Sequence, residues 1–135
     1  MVQISNQKSH DNPLVSVACI TYNHEKFIAQ AIESVLMQVT DFPVELVIGE
    51  DCSTDGTRAI VQEYAVKYPG VIRPLLPDKN LGMAENYEAV RLACRGKYIA
   101  WLRKKQRMNG RPCRSKDGFP EQSWVPCLNA RIFIS

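Results

Sequence analysis

Val44-Glu-Leu-Val-Ile-Gly-Glu-Asp-Cys-Ser-Thr-Asp-Gly56 passes from a buried strand to a helix start within one short segment. Val44, Leu46, Val47 and Ile48 form an apolar, β-branched run of strand length. Glu50, Asp51, Ser53, Thr54, Asp55 and Gly56 break that run. They suit a loop and a helix start, where side-chain oxygens accept the unpaired backbone N–H groups of the first turn. In open α/β sheets, ligands sit outside the carboxyl ends of the strands. Adjacent carboxylates at such an end, Glu50 and Asp51, therefore point to ligand binding. The plainer reading makes Asp51 and Asp55 turn and cap residues, and this segment alone favours neither.

Working towards the N-terminus, residues 14–20 read as a second buried strand, broken by Thr21-Tyr-Asn-His24. Asn23 is the expected N-cap of a helix over 25–39, whose apolar residues Phe27, Ile28, Ala31, Ile32, Val35, Leu36 and Val39 recur by threes and fours. Asp41 and Pro43 end it, and residues 1–13 read as a loose leader. Working towards the C-terminus, a helix is expected over 57–68 with Ile60, Val61, Tyr64, Ala65 and Tyr68 inward, stopped by Pro69-Gly70. A strand follows over 71–76, placed at a sheet edge by Pro74. A loop over 77–82 leads to a helix over 83–94, with Met83, Tyr87, Val90 and Cys94 on one face and Gly96 closing it. Residues 97–102 give the fourth strand. The order βαβαβαβ predicts an α/β fold, a mostly parallel sheet with helices on both faces.

The 135 residues suggest one domain, and 45% hydrophobic content is ordinary for a globular protein. No apolar run approaches the roughly 20 residues of a membrane span. The first ten residues lack the apolar core of a signal peptide, so a cytoplasmic chain is expected. The five cysteines form no Cys-x-x-Cys pair, which argues against a zinc or redox motif. Cys19 and Cys94 read as small buried hydrophobes. The net charge of +3 conceals a split: residues 1–102 carry 9 Lys+Arg against 12 Asp+Glu, and residues 103–135 carry 8 against 2. After Leu102 the periodicity stops, apart from Ala130-Arg-Ile-Phe-Ile134, and 103–135 reads as an irregular basic tail.

The sequence has no Gly-x-Gly-x-x-Gly, no Gly-x-x-x-x-Gly-Lys-[Ser/Thr] and no Gly-x-Ser-x-Gly, which removes dinucleotide, P-loop and hydrolase readings. His24, at a strand end, is expected to be a solvated loop residue. Five segments in order carry a resemblance. They are Val15-Ser-Val-Ala-Cys-Ile-Thr-Tyr-Asn23, Ile32-Glu-Ser-Val-Leu-Met-Gln38, Glu45-Leu-Val-Ile-Gly-Glu-Asp-Cys-Ser-Thr-Asp-Gly-Thr57, Asn80-Leu-Gly82 with Asn86, and Gly96-Lys-Tyr-Ile-Ala100. Together they resemble the N-terminal, nucleotide-sugar-binding half of a family 2 glycosyltransferase of the GT-A fold, over about residues 13–102.

The resemblance implies a site for a nucleotide-diphospho-sugar, usually a uridine diphosphate sugar. Thr21, Tyr22 and Asn23 would touch the base and ribose. Asp51 would accept a hydrogen bond from the base, a role that suits a carboxylate facing an imide N–H. Asp55 would support the loop and cap the second helix, while Asn80, Gly82 and Asn86 would border the nucleotide. The full family member transfers the sugar to an acceptor hydroxyl in polysaccharide or glycolipid synthesis, at the cytoplasmic face of a membrane.

The match fails at the fourth strand's end, where the family places an Asp-x-Asp-type motif that holds Mg²⁺ or Mn²⁺ against the diphosphate. Here the residues are Arg103-Lys-Lys-Gln-Arg107, and none of them offers a carboxylate. The acceptor half with its catalytic base does not follow either. A reading-frame shift at or just after Leu102 would account for the charge switch, the lost period and the missing motif together. The chain is expected to be a truncated, poorly active transferase; the alternative is a non-catalytic nucleotide-binding module. Nucleic-acid binding through Lys104, Lys105, Arg107, Arg111 and Arg114 is the less favoured third reading, a solvated charge run being the simpler one. Apolar surface left open around Trp101 and Leu102 is expected to favour self-association.

Overall fold

The structure, a computed structural model, describes residues 2–8 and 12–102 and the backbone of Phe133–Ile134. The expectations for the basic tail, including the metal motif, the altered frame and the nucleic-acid contacts, fall on 103–132 and lie outside the described residues.

Four parallel strands form the body of the sheet. β2 (Val15–Thr21) and β4 (Val44–Glu50) pair along their whole length, from Val15 opposite Val44 to Thr21 opposite Glu50. β5 (Ile72–Leu75) flanks β4 at the edge, as Pro74 predicts, and β6 (Tyr98–Trp101) flanks β2 on the other side. The two-residue strand β7 (Phe133–Ile134) adds antiparallel to β6, so the spatial order is β5-β4-β2-β6-β7.

Side-chain alternation along the strands divides the core into two layers. Val17, Cys19, Leu46 and Ile48 face one side, packed with Ile28, Ile32 and Val35 of α1 (Ile28–Leu36) and Val61 of α2 (Thr57–Lys67). Ala18, Ile20 and Val47 face the other, packed with Val90 of α3 (Met83–Ala93) and with Ile99 and Trp101. β4 is buried at every position, as a strand covered on both faces must be. Each fully buried aliphatic side chain of this kind stabilises the fold by roughly 1.5–3 kcal/mol.

Several local expectations need correction. Residues 2–8 are not a loose leader: β1 (Val2–Gln3) pairs antiparallel with β3 (Val39–Thr40), and Ile4, in a short 3₁₀ turn (Ile4–Asn6), is buried against α1. The Gln7 side chain ties this segment down, donating to Thr40 Oγ1 and the Phe42 carbonyl and accepting the Val44 N–H. α1 is shorter than the apolar spacing suggests, because its first turn begins on the His24 carbonyl and its C-terminal end gives way to β3. Asn23 does not cap it; the capping position is Phe27, with no side-chain bond. In α3 the buried face is Asn86 and Val90, while Met83 is 77% exposed. Gly96 does not end α3 in a left-handed turn; a Cβ there would run into Ser16, whose hydroxyl accepts the Gly96 N–H. Cys19 is buried, but Cys94 is only half-buried, just past the end of α3.

Trp101 and Leu102 do not form an open apolar surface. The Trp101 ring stacks on Tyr87 at 4.1 Å between centroids, and Leu102 joins the α1–α2 side of the core, its N–H donating to the Ala18 carbonyl. No helix among the described residues is long and apolar enough to cross a membrane.

Candidate functional site

The sheet order places the first strand of the parallel set, β2, between β4 and β6, with α1 and α2 on one face and α3 on the other. The chain switches sides at β2, and the crevice outside the carboxyl ends of β2 and its neighbours is where such folds take ligands. Three loops meet there: 22–27 after β2, 51–56 after β4 and 76–82 after β5.

The loops after β2 and β4 are clasped together. The Asn23 N–H donates to Ser53 Oγ at 3.0 Å, and Asn23 Oδ1 accepts the Thr54 N–H at 2.9 Å. Asn23 reaches this position through a positive φ of 53°, a conformation that Asn tolerates better than most residues. The His24 N–H donates to Thr57 Oγ1, and the Glu25 N–H donates to Asp55 Oδ2. Asp55 also accepts the N–H and hydroxyl of Thr57 in the first turn of α2. The Thr57 hydroxyl, ahead of a smaller desolvation effect, holds the Asp55 carboxyl below its ordinary value.

Asp51 joins the loop after β5 to this pair. It is 4% exposed; Oδ1 accepts the Leu81 N–H at 2.6 Å and Oδ2 the Gly82 N–H at 3.1 Å. Asn80 Nδ2 donates to the Asp51 carbonyl, and its Oδ1 accepts the Gly82 N–H. Gly82 has a φ of +85°, the left-handed region that glycine enters without strain, and it leads directly into α3. Asn86 is buried beneath, its Nδ2 donating to the Gly49 carbonyl.

The structure thus brings Thr21, Tyr22, Asn23, Asp51, Asn80 and Gly82 to one end of the sheet, with Asp55 at the outer edge and Asn86 below. Thr21 is buried and hydrogen-bonded to His24 Nδ1, so His24 is half-buried rather than a solvated residue. Tyr22 is 44% exposed, one residue beyond the Thr21 carbonyl that accepts the Asp51 N–H. Most of the polar side chains that the sequence offers as ligand contacts are spent on holding one loop to another.

Glu50, which the sequence offers as a ligand-binding candidate only jointly with Asp51 and without a role of its own, is fully buried at the carboxyl end of β4. Its Oε1 accepts the Ser53 N–H, and its Oε2 lies 3.6 Å from Arg58 Nη1. The signal was present in sequence as the first acid of an adjacent pair, but burial was not. A surface cavity of about 540 Å³ between Gln7, Lys67, Tyr68 and Val71 lies at the amino end of β5, away from this crevice. Among the described residues no three His, Cys, Asp or Glu side chains are grouped to hold a metal ion. The described residues by themselves therefore offer no set that fits the family's metal, and no chemical step is assigned to one.

Comparison with known proteins places this geometry. The model of the family described as glycosyl transferase family 2 matches residues 16–102. The chondroitin synthase of Escherichia coli is 44% identical over 91 residues, which is 67% of this chain and 13% of that protein. S. aureus TarS, solved in complex with UDP-GlcNAc, superimposes with a TM-score of 0.56 at 30% identity, over 65% of this chain and 25% of that one. The mannosyltransferase PcManGT of Pyrobaculum calidifontis, solved with GDP-Man and Mn²⁺, gives a TM-score of 0.56 at 25% identity, over 65% of this chain and 26% of that one. The chain spans no more than 25% of the length of the first curated relatives it matches.

Proposed function

The chain belongs to glycosyl transferase family 2, and we propose that residues 14–102 are its nucleotide-sugar-binding half, with a uridine diphosphate sugar as ligand. Within that reading the whole protein moves the sugar to an acceptor hydroxyl in polysaccharide or glycolipid synthesis, at the cytoplasmic face of a membrane. The observation that carries the proposal is the fixed Asp51 carboxylate at the end of β4, with the exposed Tyr22 ring leaving β2 beside it. Each Asp51 oxygen gives one lone pair to a backbone amide and retains another, enough to accept the imide N–H of uracil. Tyr22 offers a ring face for the base, and Thr21 and Asn23 border the ribose. Gly82 and Asn80 line the nucleotide from the third loop, and Asn86 supports that loop from below through Gly49.

Transfer also needs neutralisation of the diphosphate leaving group and a base for the acceptor hydroxyl. A divalent metal supplies the first in the family, and Arg103-Lys-Lys-Gln-Arg107, the run directly after Leu102, offers no carboxylate for it. We therefore expect weak or absent transfer by this chain. The same observation favours a second reading, a nucleotide-binding module without catalysis. Assay of the purified chain with uridine diphosphate sugars, and calorimetry with uridine diphosphate with and without Mn²⁺, separates the two. Metal-dependent turnover supports the transferase, metal-indifferent binding supports the module, and no binding counts against both.

A further inference from the structure

Glu50 and Glu45 are two buried acids on one strand, and their surroundings differ in kind. Glu45, at the amino end of β4, is paired throughout: the Ser16 hydroxyl, the Arg95 N–H and the Arg73 and Arg95 guanidiniums all donate to it. Glu50, at the carboxyl end, is fully buried with only Oε1 hydrogen-bonded. Its Oε2 has no hydrogen-bond partner and faces the Arg58 guanidinium at 3.6 Å. A buried carboxylate with an unsatisfied oxygen is costly, and such a group calls for a reason beyond stability.

That reason lies in what the pair holds. Through Oε1, Glu50 fixes the Ser53 N–H, and Ser53 Oγ in turn accepts the Asn23 N–H. Through Oε2, it holds Arg58, whose Nη1 donates to the Pro77 carbonyl at 2.9 Å and whose Nη2 donates to the Leu76 carbonyl at 3.0 Å. The loop 76–82 is therefore gripped at its start by Arg58 and at its end by Asp51. By way of Ser53 and Arg58, Glu50 is linked to all three loops of the crevice. Arg58 reads as an ordinary helix-surface cation in sequence, yet its fork spans the space between α2 and the loop after β5.

We infer that Glu50 and Arg58 form a positioning pair for the nucleotide site, setting the spacing between the Tyr22–Asn23 segment and the Asn80–Gly82 segment. The inference rests on the nucleotide reading above. Neither residue touches the ligand; both act through the loops, which must be held within about half an ångström for a site to bind well.

The test is calorimetric titration of uridine diphosphate into the wild-type chain and the variants Glu50→Gln, Arg58→Lys and Glu45→Gln. Each is taken at a temperature where circular dichroism shows it folded, and thermal midpoints are recorded alongside. Glu50→Gln keeps the acceptor for Ser53 but presents an amide to Arg58, and it is expected to weaken binding about tenfold. Arg58→Lys keeps the charge but loses the fork to Leu76 and Pro77; it is expected to weaken binding to a similar degree, and it serves alone if Glu50→Gln does not fold. Glu45→Gln is expected to lower the thermal midpoint and leave affinity unchanged. Wild-type binding with unaltered affinity in the Arg58→Lys variant, or equal losses in all three variants that follow their midpoints, overturns the positioning role. Absence of wild-type binding overturns the nucleotide reading itself, and this inference with it.

Discussion

Asn86 of α3 fills the space that a side chain on Gly49 of β4 would occupy. Its Nδ2 donates to the Gly49 carbonyl at 3.0 Å, and a Cβ built on Gly49 would collide with Asn86 Oδ1 and Val90 Cγ2. Asn86 and Val90 thus seat the helix that leads out of the third loop on β4, two residues before Asp51. Gly49→Ala is therefore predicted to destabilise the chain by about 1–3 kcal/mol through overpacking, with Asn86 forced from its seat. Urea denaturation followed by circular dichroism measures it, and a change within about 0.5 kcal/mol would show that α3 has room to shift.

Cys52 follows Asp51 with a positive φ of 58°, and its thiol makes only a long contact, 3.9 Å, to the Asp78 carbonyl. A left-handed conformation costs a side-chain-bearing residue roughly 1–2 kcal/mol. Replacing it with glycine removes that strain but loosens the unfolded chain by about 0.4–1 kcal/mol. Cys52→Gly is predicted to stabilise the fold by about 0.5 kcal/mol on balance, and Cys52→Val to destabilise it. Equal unfolding midpoints for the two variants would mean that the turn is not strained.

Glu45 gives the fold an acid-sensitive tie. Burial alone would raise its carboxyl, but the Ser16 hydroxyl, the Arg95 N–H and the two guanidiniums outweigh that and hold it below the ordinary value of 4.5. A carboxyl lowered on folding contributes stability that is fully present above its unfolded value and is lost as pH falls through its folded value. Wild-type stability should therefore decline more steeply below about pH 4.5 than that of Glu45→Gln. Parallel stability profiles from pH 6 to pH 3 would remove Glu45 from that role.

Asp51→Asn tests the join between the loops. Asparagine offers one oxygen and one NH₂ group where two backbone N–H groups point, so one of the two Asp51 bonds is lost; the Gly82 amide keeps Asn80 Oδ1 as its other acceptor. Losing a hydrogen bond to a charged group costs roughly 1.5–3 kcal/mol, and a loss towards the lower end is predicted in stability even without any ligand. An unchanged unfolding midpoint would show that the 76–82 loop does not depend on Asp51.

The strands and helices of the sheet were legible because their periods differ: β-branched runs alternate with apolar spacings of three and four, and Pro74 marks the edge. The packing of residues 2–8 was not legible, because its signal is a single glutamine, Gln7, bonding to residues more than thirty positions away. The site was legible as a set of positions but not as a set of roles. Asn23, Asp51, Asn80 and Asn86 look in sequence like groups waiting for a ligand, and each is engaged with the backbone of another segment. A polar side chain carries no mark of whether it faces a ligand or a neighbouring loop. The position of Glu50 beneath the loops was missed for the related reason that its adjacency to Asp51 is visible in sequence while its complete burial is not.

The most direct test of the nucleotide reading is calorimetric titration of uridine diphosphate into the wild-type chain and the Tyr22→Ala variant. Tyr22 is exposed and its loss should leave stability within about 0.5 kcal/mol. Loss of one base-stacking face is worth roughly 1–3 kcal/mol of binding. Measurable wild-type binding that weakens by about fivefold or more in Tyr22→Ala, with the unfolding midpoint unchanged, is the predicted result. Absence of wild-type binding, or equal affinity in the two proteins, would contradict it.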